Sequence, residues 1–405
     1  MTARRVVVTG LGVICALGHN LAEVWCALRA GRSGIGPIRS LDVSNLRFQN
    51  GAEVREYDTG KHFGSGADLL DRFAQFAVIA AREAVGDSGV TLTPELREKT
   101  AVVSGSCVGG QSTQDAGFVE LYRQERGRVH PLTIPRIMAN AGASHISVEF
   151  GTTGPAFTIS TACSSANHAI GQAFRMVRSG EVDLAIAGGS EAPFSMGLLK
   201  AWEAIRVIAP DTCRPFSRDR RGMILGEGGA MLVLEPLERA EARGARIYGE
   251  IVGLGMSSDA GHITQPSVEG PARAMRAALR DAQLHPEQVG YINAHGTGTP
   301  GNDPTETRAI REVFGAHADR LAVSSTKSMH GHALGAAGAL EAVATVMALH
   351  QGLLPPTANF IEPDPECDLD IITHRARAAQ VECALSNSFA FGGLNAVLAL
   401  RTHLR

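Results

Sequence analysis

Among seven cysteines in the 405-residue chain, one stands where a thiol could act as a nucleophile. Cys163 lies in Thr158-Ile-Ser-Thr-Ala-Cys-Ser-Ser-Ala-Asn-His-Ala-Ile, where an extended apolar run meets a helix through small residues. A thiol at a helix N-terminus meets the positive end of the macrodipole and free backbone N–H groups, which lowers its pKa and supplies an oxyanion hole. A free cysteine taken alone is more often a small buried hydrophobe. Cys15, Cys26, Cys213, Cys367 and Cys383 keep that reading, and Cys107, in a Gly-rich turn, stays undecided. The number is odd and no CxxC pair occurs, which fits reduced thiols rather than a disulfide framework.

Two histidines share the setting of Cys163. His295 lies in Asn293-Ala-His-Gly-Thr-Gly-Thr, at the end of an apolar strand, and His332 in Ser325-Thr-Lys-Ser-Met-His-Gly-His-Ala-Leu-Gly-Ala-Ala-Gly, a strand-to-helix junction. Open α/β sheets place their sites at the carboxyl ends of strands, so two imidazoles and a thiol at corresponding ends form a constellation. A zinc reading of His295, His330 and His332 is weaker, because no carboxylate or thiol at diagnostic spacing accompanies them. Lys327 is one of four lysines (61, 99, 200, 327) among 38 basic residues. In an apolar Ser/Thr/Gly turn it is expected to pair with a buried carboxylate, and Glu341, inside an apolar helix, is the partner nominated.

The elements that must hold these groups read as α/β: short β-branched runs closed by glycine alternate with Ala-rich helices. Strands are expected at 6–8, 100–104, 156–160, 184–187 and 230–234, then at 247–254, 289–294, 321–325 and 381–386 with 396–400. Residues 6–8 read as a buried strand followed by a Gly turn, not as a signal peptide. A repeat ties the elements together. Residues 73–95 and 272–287 share one helical plan, each is followed by a strand ending in a Gly-rich turn, and each half closes on a Gly-Gly hairpin and strand, Gly228-Gly-Ala and Gly392-Gly-Leu. Two halves, 1–245 and 246–405, account for the length without a linker. The net charge of −3 gives no reason to expect nucleic acid or an anionic membrane as partner. The most membrane-like stretch, 333–349, carries Glu341, Gly335 and Gly338 and reads as a buried helix, with no membrane span expected.

At this point the motifs carry a resemblance. Thr161-Ala-Cys-Ser-Ser, Asn293-Ala-His-Gly-Thr-Gly-Thr, the Ser325–Gly338 block and Asn387-Ser-Phe-Ala-Phe-Gly-Gly resemble the signature blocks of elongating β-ketoacyl-acyl-carrier-protein synthases, in the same order and across nearly the whole chain. Short tracts around Cys163 and Leu199–Arg206 are most similar to the nodulation protein E type. The resemblance implies a thiolase-like fold, duplicated βαβ halves in a five-layered αβαβα body, usually as a homodimer in the cytoplasm. It implies no intrinsic cofactor, with substrates carried on the phosphopantetheine of acyl carrier protein. Cys163 would take the acyl chain as a thioester, and His295 and His332 would hold the malonyl carbonyl. Lys327 would orient the site through Glu341, and the N–H groups of Cys163 and Phe391 would form the oxyanion hole. Phe391, flanked by Phe389 and Gly392, would gate the acyl pocket, with Val108 at its end. Thr297 and Thr299 match positions bonding the pantetheine arm, Arg126, Arg128 and Arg206 match a carrier-protein patch, and Asn293, Glu341 and Asn387 match a monovalent-cation site of some members.

Three departures accompany the match. Ala390 stands where glycine is usual, an expected restriction on positive φ that would stiffen the gate. Leu394 replaces a common threonine, and 64–71 lacks the basic residues found there in housekeeping members. Competing readings are a catalytically silent partner subunit that sets chain length, opposed by Cys163 and both histidines; a degradative thiolase, which needs a second cysteine where Asn387–Gly393 stands; and a Cys-His-Asn initiation synthase, which needs asparagine at His332. Acyl-chain length and pathway are not legible.

Overall fold

The computed structural model describes residues 3–403. Its first half supplies strands β1 (Val6–Cys15), β2 (Thr100–Gly105), β3 (Ala156–Ile159), β4 (Leu184–Glu191) and β5 (Gly228–Pro236). The second supplies β6 (Gly249–Ser258), β7 (Val289–Asn293), β8 (Ala322–Ser324), β9 (Asp370–Ile371), β10 (Cys383–Ala390) and β11 (Leu394–Arg401). The helices that matter for the site are α1 (Arg72–Ser88), α2 (Ser165–Ser179), α3 (Met196–Ile205), α4 (Glu269–Ala282), α5 (Asn302–Phe314) and α6 (Ala337–Gln351).

The expected duplication is explicit in the strand order. The first half runs β3-β2-β4-β5-β1 and the second β8-β7-β10-β11-β6, with β9 added outside β8. In both, the second strand lies parallel to its two neighbours and the last two pairs are antiparallel. The halves join where β1 pairs β6 antiparallel over Val6–Val8. Helices α2 and α6 pack on each other and touch strands of both halves, while α1 covers the outer face of the first half and α4 that of the second. Five layers, αβαβα, result. Residues 337–349 of α6 are all buried, so a helix apolar on every side is what this central position demands.

One local expectation fails for a physical reason. No Gly turn follows Val8: β1 runs on through Gly10 and Gly12 to Cys15. A Cβ at those glycines would strike the carbonyl oxygens of Ala84 and Ala80 in α1, so they let the strand press against helix backbone rather than break it. The same device recurs in β6, where Gly253 and Gly255 face Ala278 and Ala274 of α4. Thr9-Gly-Leu-Gly and Val252-Gly-Leu-Gly are thus a further copy of the repeat that the helices and Gly-Gly turns had revealed. The Gly-Gly hairpin expected in the first half is not a tight one either, since residues 192–227, including α3, are inserted between β4 and β5. Cys26, expected buried, is exposed on an outward face of its helix. Among the described residues, no helix is long and apolar enough to cross a membrane.

Candidate active site

Cys163 precedes α2 and His332 precedes α6, so the two central helices aim equivalent N-terminal ends at one place. The elbow at Cys163 is built by small side chains. Ser164 Oγ donates to Thr161 O (2.8 Å), Ser165 Oγ donates to Ala162 O (2.6 Å), and Thr161 N–H donates to Ser165 Oγ (2.9 Å). Ala162 is held at φ 49°, a conformation costly for an L-residue, which presents the next side chain sharply outward. Gly105 lets the elbow sit directly on the end of β2, where a Cβ would meet the backbone of Ser165 and Ala166.

The expected fall in the Cys163 pKa does not occur. Burial pushes the thiol up to about 11, against the opposing pull of Lys327 and the N–H of Phe391 on the sulphur. The resting nucleophile is a thiol. Alkylation of Cys163 by iodoacetamide should therefore rise about tenfold per pH unit from roughly pH 7 to 10. Peptide-mapped rates that level off near neutrality would show a thiolate instead.

The imidazoles are fixed by their neighbours. Lys327 Nζ lies 3.4 Å from His295 Nδ1, and an ammonium only donates, so Nδ1 accepts and Nε2 carries the proton. Leu334 N–H donates to His332 Nδ1 (3.2 Å), which places that ring's proton on Nε2 as well. The rings stand 5.5 Å apart at 84°. Burial drives both pKa values well below the ordinary imidazole range, and the Lys327 charge adds to it, so both rings are neutral donors at neutral pH. Glu306 of α5 clamps the His295 loop, accepting from His295 N–H and Gly296 N–H at 2.8 Å each.

Lys327 is fully buried and bonded to Glu341, as the sequence expectation paired them. Burial pushes Glu341 up to about 7 although Lys327 pulls the other way. His330, the third member of the zinc reading, is turned away: its ring nitrogens meet Gly331 O (2.8 Å) and Thr326 Oγ1 (2.9 Å). A monovalent cation fits better. Asn293 Oδ1, Glu341 Oε2 and Asn387 Oδ1 are all buried acceptors without a partner, the donor set a hard cation takes.

Cys163, His295, His332, Thr297, Thr299 and Phe391 line one cavity of about 330 Å³, with Arg206 and Arg221 also on its wall. Thr297 and Thr299 join their hydroxyls at 2.8 Å. Phe389 stands 5.9 Å from the His295 ring. Phe391 also packs into an apolar cluster with Trp202, Leu334, Met223 and Cys107, so it borders both the cavity and that cluster. The left-handed turn falls at Gly392 (φ 85°) and Gly393 (φ 70°), whereas Ala390 pairs with Leu394 as ordinary strand, so the restriction expected there has no effect. Val108 is not on the cavity wall, and neither are Arg126, which pairs with Glu120 at 3.6 Å, and the exposed Arg128. Sequence reasoning missed Trp202, whose ring stacks on Phe391 (6.1 Å, 25°), and Glu306. The first had a signal, being one of only two tryptophans.

Comparison with known proteins follows the same lines. The family model "Beta-ketoacyl synthase, N-terminal domain" matches residues 3–240 and "Beta-ketoacyl synthase, C-terminal domain" matches 248–361. Nodulation protein E of Rhizobium sp. (strain N33) is 49% identical over 98% of this chain and 99% of its own. The 3-oxoacyl-[acyl-carrier-protein] synthase 2 of Synechocystis sp. is 44% identical over 99% of this chain and 98% of its own. The solved ishigamide ketosynthase/chain length factor superposes with a TM-score of 0.95 at 39% identity, covering both chains completely.

Proposed function

Because the chain belongs to the β-ketoacyl synthase family, we propose that it catalyses decarboxylative Claisen condensation of malonyl-acyl carrier protein with an acyl group held on Cys163. One observation carries the assignment of roles: two neutral imidazoles, both protonated on Nε2, stand perpendicular on the same cavity wall as a buried thiol. That set can hold one oxyanion while a second centre is attacked.

In the first half-reaction Cys163 Sγ attacks the acyl thioester, its proton passing to the departing pantetheine sulphur. The N–H groups of Cys163 and Phe391, which already point at Sγ, receive the tetrahedral oxyanion. In the second, malonyl thioester loses CO₂ and the C–C electron pair moves onto the thioester oxygen. His295 and His332 Nε2–H stabilise that enolate. Its carbon attacks the acyl carbonyl, the C–S bond to Cys163 breaks to give β-ketoacyl product, and the expelled thiolate takes a proton from solvent to restore the resting thiol. Lys327 keeps His295 in the donating tautomer and Glu341 balances its charge, so the lysine positions rather than abstracts. A monovalent cation held by Asn293, Glu341 and Asn387 would neutralise buried oxygen dipoles behind these groups.

Phosphopantetheine carries both substrates past Thr297 and Thr299, with Phe391 and its neighbours Phe389 and Gly392 gating the acyl side. Val108, in the turn after β2 and off the wall of the cavity that Cys163 lines, is assigned to the far end of the acyl pocket behind Phe391. Arg206, Arg126 and Arg128 suit an acidic carrier surface. The halves divide at 245/246, and free cysteines throughout the described chain suit the cytoplasm. The enzyme works as a homodimer. The second reading, a silent chain-length subunit, is opposed by the intact Cys163, His295 and His332 set.

Incubation with malonyl-carrier protein and acyl-carrier proteins of graded length, read by mass spectrometry, should give β-ketoacyl products two carbons longer from this chain alone. Product only on addition of a second synthase subunit would transfer the assignment to the silent-subunit reading.

A further inference from the structure

Glu191, the last residue of β4, is fully buried and hydrogen-bonds to none of Cys163, His295 and His332, yet its carboxylate gathers four donors. Oε1 accepts from Ser106 Oγ (3.0 Å) and Val108 N–H (3.2 Å), and Oε2 accepts from Cys107 N–H (2.6 Å) and Gly335 N–H (3.0 Å). Three of these belong to the turn after β2 in the first half. The fourth belongs to the turn that carries His332 in the second. Resting on the synthase reading above, we propose that Glu191 is a positioning residue that sets both turns at once, coupling the acyl pocket to the tautomer of His332.

Two independent features say that the second turn needs holding. Leu334, whose N–H fixes the His332 ring, is itself at φ 46°, a conformation that persists only where surroundings over-determine it. The next residue is Gly335, where a Cβ would strike both Cys107 N and the Glu191 carboxylate, so the two turns are in backbone contact. Without the carboxylate the Gly335 N–H would be a buried donor with no acceptor, and Leu334 is free to relax. Its N–H then leaves Nδ1, and His332 is no longer fixed as an Nε2–H donor. On the other side, releasing the turn shifts Cys107, which packs in the apolar cluster with Phe391, together with Val108 beside it. The arrangement has a counterpart in the second half, where Glu306 clamps the turn after β7.

The two sides can be separated by chemistry. Glu191→Gln keeps one acceptor oxygen, and its NH₂ goes toward Ser106, whose hydroxyl can rotate to accept; Val108 N–H is then the group left facing a donor. Glu191→Ala loses both sides. With graded acyl-carrier proteins, Glu191→Gln should shift the preferred primer by about two carbons, with a smaller loss of malonyl decarboxylation than Glu191→Ala. Decarboxylation by Glu191→Ala should fall at least about tenfold, the scale of leaving a buried backbone donor without an acceptor. Side-chain ¹⁵N spectra of histidine-labelled protein should show His332 fixed as Nε2–H in the parent and mixed in Glu191→Ala, a readout that needs no turnover. An unchanged primer preference in Glu191→Gln overturns the proposal even if the alanine variant does not fold, and so does an unchanged His332 signal in Glu191→Ala. A changed His332 signal in a chain that never decarboxylates malonyl-carrier protein would instead sink the synthase reading and leave the positioning role standing.

Discussion

Cys163→Ala should abolish acyl-enzyme formation while leaving the fold intact. Intact mass after incubation with acyl-carrier protein should show the acyl increment on the parent chain and none on the variant, a loss of at least about 10³-fold. The prediction depends on position rather than on an activated thiol, because burial holds the resting sulphur near 11 and the proton must leave as the thioester is attacked. Cys107 makes the experiment discriminating. It is half-buried in the same apolar cluster as Phe391, so transfer to any nearby thiol would still label the variant there. Acyl increment retained in Cys163→Ala, mapped to Cys107 or elsewhere, removes Cys163 from the nucleophile's role. Malonyl decarboxylation should survive in the variant, since both imidazole donors remain.

The second large effect runs the other way. His332→Ala should keep acylation of Cys163 and lose malonyl decarboxylation by about 10²–10³-fold, the range for removing one donor from an oxyanion site. The two rings share one charge, so the remaining His295 Nε2–H cannot restore it. Release of ¹⁴CO₂ from labelled malonyl-carrier protein at the parent's rate would contradict the role. The pH dependence sharpens the test. Because burial and Lys327 depress both imidazole pKa values, the rings stay neutral on going from neutral to mildly acidic solution. Decarboxylation by the parent should therefore show no acid limb at the ordinary imidazole value of about 6.5. The same shifts act on stability: unfolding exposes imidazoles that protonate below about 6.5, so this contribution is present above that pH and is lost as pH falls toward the depressed folded values.

Much of the site was legible because its groups sit in small-residue turns at strand ends, where side-chain type and backbone geometry are tightly linked. Cys163, His295, His332 and the Lys327–Glu341 pair were named from their local contexts, and the structure brings them together. What stayed out of reach depended on distance across the fold. Gly10 and Gly12 read as a turn signal until the carbonyls of Ala80 and Ala84 supply the reason a strand needs glycine there. The Cys163 pKa was read from a local helix dipole, and burial by surrounding layers outweighed it.

The sequence by itself determined that this is an α/β protein written twice and that a thiol and two histidines occupy equivalent strand ends. Periodicity, small-residue turns and an internal repeat are properties of contiguous residues, so they survive without coordinates. Only the tertiary structure decided which imidazole nitrogen carries the proton, that Ala390 is plain strand, and that Glu191 of the first half reaches the turn of His332 in the second. Those facts follow from hydrogen bonds and burial between residues far apart in the chain, such as Glu191 with Gly335, which no window along the sequence contains.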